Sequence, residues 1–267
     1  MGELQVELVV DLAGAEAAAA LFADVWAPQV PMPTELVRAV AHAGGYAAVV
    51  RDGAEVVGAS CGLLGLDGEG LLLHSHITGV RDGARDRGVG RLVKAHQRAW
   101  AAERGIGRIT WTFDLLVRRN VRFNLQVLGA RVVAYEPHFY GGMVDGINAG
   151  DESDRAVVVW DVVRAEEHAA EARAAAADAE AIGTRVVEAD EHGRPVWLDA
   201  GAGPWLAALP DDVVVLRRTD PDTALLWRRM QREVVEQARS MGYGVVGVTD
   251  TGWLVLAPSP DRAGLPR

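Results

Sequence analysis

A chain of 267 residues has room for one large domain or two modest ones. Its 27 Lys and Arg stand against 37 Asp and Glu, a formal net charge of −10. That balance argues against general binding to nucleic acid or to an anionic membrane, both of which need a basic face. With 49% hydrophobic and 24% charged residues, the composition supports a packed core. The lone cysteine, Cys61, cannot make an internal disulfide, nor by itself a structural zinc site. No apolar run approaches the ~20 residues of a membrane span, and Met1-Gly2-Glu3 lacks the basic start of a signal peptide. A soluble, cytoplasmic protein is expected. Lys94 is the only lysine beside 26 arginines, a bias that reads as codon usage.

The chain opens on the alternation Leu4, Val6, Leu8, Val10, which predicts a strand. Asp11 then caps an alanine-rich helix running to about Trp26, stopped by Pro28, Pro31 and Pro33. A second helix begins at Thr34 and ends near Gly44. Residues 46–50 and 54–64 read as strands joined by the turn Asp52-Gly53. A third apolar run covers 71–80. A helix over 89–104, a strand over 108–113, a helix over 117–128 and a strand over 131–135 follow. The Gly-, Asp- and Asn-rich stretch 136–154 is a long loop, and 156–163 returns to strand character. Composition changes at Arg164. Beyond it lie an Ala/Glu-rich helix over 165–182, short strands over 185–188, 196–199 and 213–216, a long helix over 221–241, and a hairpin pairing 244–248 with 253–257. The expected organisation is a first domain over 1–164 and a smaller α+β extension over 165–267. On the long helix Trp227 is expected in the core, with Arg228, Arg229 and Arg232 exposed.

The stretch Arg85-Asp86-Arg87-Gly88-Val89-Gly90-Arg91 lies directly between a strand and an amphipathic helix. Gly88 and Gly90 allow close approach of the backbone to a ligand. The unpaired N–H groups of the helix start suit a pyrophosphate, and Arg85, Arg87 and Arg91 offer charged donors. The bland alternative is a glycine-rich turn with solvated arginines. A Walker loop needs Gly-Lys-Ser/Thr, which is absent, and the third glycine of a dinucleotide-binding fingerprint is missing.

These residues, with Val80 ahead of them, resemble the pyrophosphate motif of the GNAT superfamily of CoA-dependent N-acyltransferases. The order of elements from about Leu4 to Val163 is similar too, and 74–155 resembles a bacterial group of predicted acetyltransferases with a C-terminal extension. The resemblance implies an α/β (α+β) fold with a mixed, mostly antiparallel sheet flanked by helices. It implies a bound acetyl-CoA, or a longer acyl-CoA such as succinyl-CoA. By the same resemblance, main-chain groups of Thr78, Gly79 and Val80 pair with the pantetheine arm, and amides from Arg85 to Arg91, Val89 among them, hold the pyrophosphate. Asn120 falls near an asparagine that contacts pantetheine, with a plain helix-entry residue as the equal alternative.

His74 falls where some members carry their general base. A histidine can take the proton of an amine near neutral pH, and His76, two residues on, has a supporting role. Both could instead be hydrogen-bonded packing residues. A metal held by the two histidines, with Asp114 as a third ligand, is the minor alternative, and no metal is expected. The tyrosine that many members place four residues before the glycine equivalent to Gly129 is here Leu125, so Tyr140, Tyr135 or water would protonate the thiolate.

The loop around Asp145 and Asn148, with Arg155, suits an amine acceptor that also carries a carboxylate if it lines the acceptor site; a solvated loop of turn-forming residues is the other open reading. A small-molecule amine is the expected partner, neither nucleic acid nor membrane is expected, and a homodimer is left open. The competing reading is a non-catalytic acyl-CoA-binding sensor, and the remaining one is an interaction protein on a decayed fold.

Overall fold

A computed structural model describes residues 3–26, 32–142 and 151–259. The chain forms two compact units, 1–111 and 112–267, so the division falls within a strand, while the composition change at Arg164 marks the head of a helix inside the second unit. Among the described residues no helix is long and apolar enough to cross a membrane.

The first unit is a mostly antiparallel sheet between two helical layers, the α/β class expected from the sequence. Its strands β1 (Leu4–Leu8), β2 (Tyr46–Asp52), β3 (Glu55–Asp67), β4 (Gly70–Val80) and β5 (Arg108–Phe113) lie side by side in chain order. All neighbours are antiparallel except β4 and β5. Helix α1 (Leu12–Trp26) starts where the Asp11 carboxylate accepts from the Gly14 N–H at 2.8 Å. With α2 (Thr34–His42) it buries Ala15, Ala18, Leu21, Phe22 and Val37 against Ala47, Val49, Cys61 and Ile77. Helix α3 (Val89–Glu103) presents Val89 and Val93 to Val50, which alternates with Val49, and to Val57, the extra residue of a bulge in the β2–β3 pairing, on the other face. Gly58 makes that close approach possible, because a Cβ there would lie 2.7 Å from Val89 Cγ1.

The second unit carries α4 (Arg118–Val121), the hairpin β6 (Arg131–Glu136) with β7 (Arg155–Asp161), α5 (Ala165–Ile182) and a separate sheet. That sheet has the order β11-β12-β10-β8-β9, built from β8 (Thr184–Ala189), β9 (Pro195–Trp197), β10 (Trp205–Ala207), β11 (Tyr243–Val248) and β12 (Leu254–Pro258). Strand β10 has no strong signature in the sequence.

Two expected elements differ. The helix over 117–128 stops at Val121 and continues as a π-turn over Arg122–Val127, with the Leu128 N–H reaching back five residues to the Phe123 carbonyl at 2.9 Å. The run Val213-Val214-Val215 is not a strand but the start of α6 (Val213–Thr219). The Asp212 carboxylate accepts from the N–H groups of Val214 and Val215, and this cap outweighs the β preference of three valines.

The largest departure lies in α7 (Pro221–Ser240). Trp227 is buried as expected, but Arg228 is fully buried rather than exposed. It bonds both oxygens of Asp114, at 2.8 and 2.6 Å, and Asp151 at 2.9 Å. Arg217 from α6 joins the same two carboxylates, and Arg232, half-buried, pairs with Asp154 and Glu152. Burial alone would raise the Asp114 carboxyl, but Arg228 and Arg217 outweigh it and hold it well below the carboxylate range. Replacing Arg228 by Ala leaves two buried carboxylates to share the single guanidinium of Arg217, and the expected cost is about 3–5 kcal/mol of folding stability. Urea unfolding of the variant against the wild type checks it.

Candidate functional site

Strand β4 pairs with β3 along nearly its whole length, yet with β5 only at Leu73 opposite Ile109 and His74 opposite Thr110. Past His74 the two strands part, so from Ser75 to Val80 the β5-side edge of β4 has no paired strand among the described residues. The parting starts at a bulge. Cys61 faces Ile77 and Leu63 faces His74, so Ser75 and His76 together oppose the single residue Gly62. Gly62 has to be glycine, because a Cβ there would sit 2.9 Å from the His74 carbonyl oxygen.

Strand β4 then runs directly into the loop singled out in the sequence. A short 3₁₀ turn, Asp82–Ala84, is followed by Asp86 at φ 64° and Gly88 at φ 78°, after which α3 begins. Among the described residues no backbone carbonyl or capping side chain accepts from the N–H groups of Asp86 through Arg91. The first bond of the helix is Leu92 N–H to the Gly88 carbonyl at 2.9 Å. Six consecutive donors at a helix N-terminus, with left-handed residues interleaved, are chemically suited to hydrogen-bond an anion. Val89 has its side chain in the core and contributes only its main chain. The arginines differ among themselves. Arg87 is held by Asp52 on β2 at 2.7 Å, Arg85 by Asp82 at 2.7 Å, and Arg91 is exposed with no ion pair among the described residues.

His74 is half-buried with Nδ1 3.1 Å from the Thr110 hydroxyl, which leaves Nε2 as the nitrogen open to another partner. The His76 ring lies 6.3 Å from it, centroid to centroid. Loss of hydration, then the neighbouring His76 and Lys94, push the His74 imidazole below its ordinary value, and loss of hydration does the same to His76. Thr78 bonds Ser60 on β3 at 2.9 Å, and Gly79 lacks a Cβ where Trp26 and Leu21 of α1 press on β4.

Behind the bulge lies a group that the sequence reading passed over. The Lys94 amine, on α3, is buried, 2.8 Å from Ser75 Oγ, 3.1 Å from Gln97 Oε1 and 4.0 Å from the centre of the Trp111 ring. Gln97 continues the chain of polar groups to Ser60 at 3.5 Å. No carboxylate pairs with Lys94 among the described residues, and burial pushes its amine down to about 7. Its place as the sole lysine was the available signal, set aside as codon bias.

The remaining expected residues belong to the second unit. Asn120 is half-buried in α4. Leu125 is buried in the π-turn. Tyr135 is buried and donates to Asp154 at 2.9 Å, and burial pushes its phenol far above the ordinary value. Tyr140 is exposed, its hydroxyl 3.1 Å from that of Thr112. Arg155 is buried, donates to the Asp154 carbonyl at 2.9 Å and lies 5.6 Å from the Tyr140 ring centre. Asp145 and Asn148 lie outside the described residues. Asp114 is committed to Arg217 and Arg228 and offers no ligand to a metal. His138, Glu152 and Asp154 bring ligand atoms within 4.8 Å of one another, but Arg232 already neutralises both carboxylates.

No family model and no curated protein matches the chain. Among solved structures, the chain is similar to the ribosomal-protein-S18-alanine N-acetyltransferase of Escherichia coli, at 10% identity and a TM-score of 0.49, over 60% of this chain and 94% of that one. A putative GNAT-family acetyltransferase from Desulfovibrio desulfuricans aligns at 15% identity and a TM-score of 0.48, over 60% of this chain and 100% of that one. A putative acetyltransferase from Salmonella typhimurium, solved with acetyl-CoA, aligns at 15% identity and a TM-score of 0.46, over 60% of this chain and 94% of that one.

The buried amine has a consequence for stability. In the unfolded chain a lysine titrates near 10.4, whereas folded Lys94 releases its proton at about 7. Between these values the unfolded chain binds the extra proton, so stability rises with pH, by up to about 1.4 kcal/mol per pH unit. Lys94→Met removes that rise. Denaturant unfolding of both proteins between pH 6.5 and 9.5 checks it, as the difference between the two curves.

Proposed function

We propose that the chain is a GNAT-type N-acyltransferase that moves an acyl group, acetyl by default, from acyl-CoA to the primary amine of a small molecule. The observation that carries this reading is the run of six unaccepted main-chain N–H groups from Asp86 to Arg91 at the start of α3, continuous with the open edge of β4. In this reading the diphosphate of the coenzyme accepts from those groups, with Arg91 adding charge. The pantetheine amides pair with the β4 edge over Thr78, Gly79 and Val80, as an added strand would. The thioester then comes to lie near the point where β4 and β5 part.

In a ternary complex the amine nitrogen attacks the thioester carbonyl carbon, the carbon–sulfur bond breaks and the thiolate leaves. With Nδ1 bonded to Thr110, Nε2 of His74 takes the amine proton, directly or through water. A main-chain N–H at the bulge receives the developing oxyanion. An amine that also bears a carboxylate suits the expected acceptor, and a longer acyl group such as succinyl fits the same scheme. The buried Leu125, at the family's tyrosine position, favours a second reading, an acyl-CoA-binding sensor without turnover. Coenzyme binding with no thiol release across amino acids, polyamines and aminoglycosides selects the sensor.

Calorimetric titration with CoA tests the grip. Gly88→Val is expected to weaken CoA at least ~10-fold, because the substitution is strained at positive φ and puts a branched side chain at the cradle. Unchanged affinity sinks the proposal. In thiol-release assays His74→Ala is expected to lower kcat by about 10²–10⁴ while CoA affinity is retained. Because the imidazole must be neutral to act, kcat/KM of the wild type rises with pH through a value below that of a free histidine and is flat above it. The variant lacks this limb.

A further inference from the structure

The parting of β4 and β5 has a pin, and this inference rests on the acyltransferase reading above. The last paired residues are His74 and Thr110. The next residue on each strand, Ser75 on β4 and Trp111 on β5, is touched by one and the same group, the Lys94 amine, at 2.8 Å from the serine oxygen and 4.0 Å from the indole centre. Reaching out from α3, it stands where the strands diverge, and Ser75 is one of the two bulge residues. We infer that Lys94 is a positioning residue of the acyl site: it holds the fork between β4 and β5 from behind and sets the main-chain groups of the bulge against the thioester carbonyl.

Three observations support this assignment over a merely structural role. A buried cation facing only neutral partners is costly, and an apolar residue of equal length would pack there at lower cost. The neighbours are Ser75 and His74 on β4, Gln97 on α3, Ser60 on β3 through Gln97, and Trp111 on β5, none of them acidic. Composition points the same way: a chain that uses arginine 26 times has its one lysine here. The ammonium group is compact and directs three donors at will, whereas a guanidinium fork is planar and wide. The contacts also separate two functions along β4. The fork lies at residues 74–76 and the diphosphate cradle at 86–91, so disturbing the first leaves the second in place.

The test compares affinities for acetyl-CoA and CoA by calorimetry in the wild type, Lys94→Met and Ser75→Ala, together with NMR titration of the His74 ring. The wild type is expected to prefer acetyl-CoA several-fold. Lys94→Met is expected to abolish that preference while binding CoA as tightly as the wild type. Its His74 imidazole, relieved of a positive neighbour, is expected to titrate at higher pH. Ser75→Ala, which removes the contact but keeps the amine, is expected to reduce the preference and leave the His74 titration unmoved, and it serves where the lysine variant does not fold. An unchanged preference in both variants overturns the inference and leaves the acyltransferase reading standing. Failure of the wild type to bind CoA at all overturns that reading and the inference with it.

Discussion

Two residues of contact between β4 and β5 determine the character of the first unit. A longer parallel pairing would satisfy the edge of β4 and close it. Instead the ladder ends at His74 and Thr110, and the next six residues of β4 have no strand paired on that side among the described residues. Such an edge is a liability in most proteins, since it invites pairing with other chains. Here it leads into a second set of unsatisfied donors at the head of α3. Backbone groups left without partners on this scale cost free energy unless water or a ligand meets them. An extended ligand with amides along its length and phosphates at its end would meet both sets at once.

The local devices that hold this arrangement are small. Gly62 lets the bulge lean on β3, Gly58 lets the first turn of α3 approach the sheet, and Gly79 admits Trp26. In each case the missing Cβ is replaced by a neighbour at a distance no side chain would tolerate. Polar groups inside this unit are joined in a chain from Thr78 through Ser60 and Gln97 to Lys94 and Ser75. Nothing in that chain is acidic, and its one cation therefore sits at the edge of losing its proton. The second unit solves burial of charge in the opposite way. Arg217 and Arg228 face Asp114 and Asp151 with several hydrogen bonds to each, so each of these buried side chains lies against partners of opposite charge.

Much of the fold was legible because its signals are local. The alternation of Leu4, Val6 and Leu8, the turn at Asp52-Gly53 and the Asp11 cap each act over a few residues. The glycine pair at 88 and 90, between a strand and a helix, marked the turn ahead of α3 for the same reason. Val213 to Val215 misled because a single capping carboxylate outvotes side-chain preference. The π-turn after Val121 left no local mark, and Arg228 reads as a surface residue on any helical wheel, since only distant carboxylates explain its burial.

The sequence by itself therefore determined most of the elements of the first unit, their order and the glycine-bearing turn ahead of α3, because these follow from contacts within a few residues. Only the tertiary structure decided where β4 and β5 part, that Ser75 and His76 share a bulge, and that Lys94 rather than an arginine stands at the fork. Those depend on residues 13 to 36 apart in the chain meeting across strands and helix, and no spacing rule carries that information.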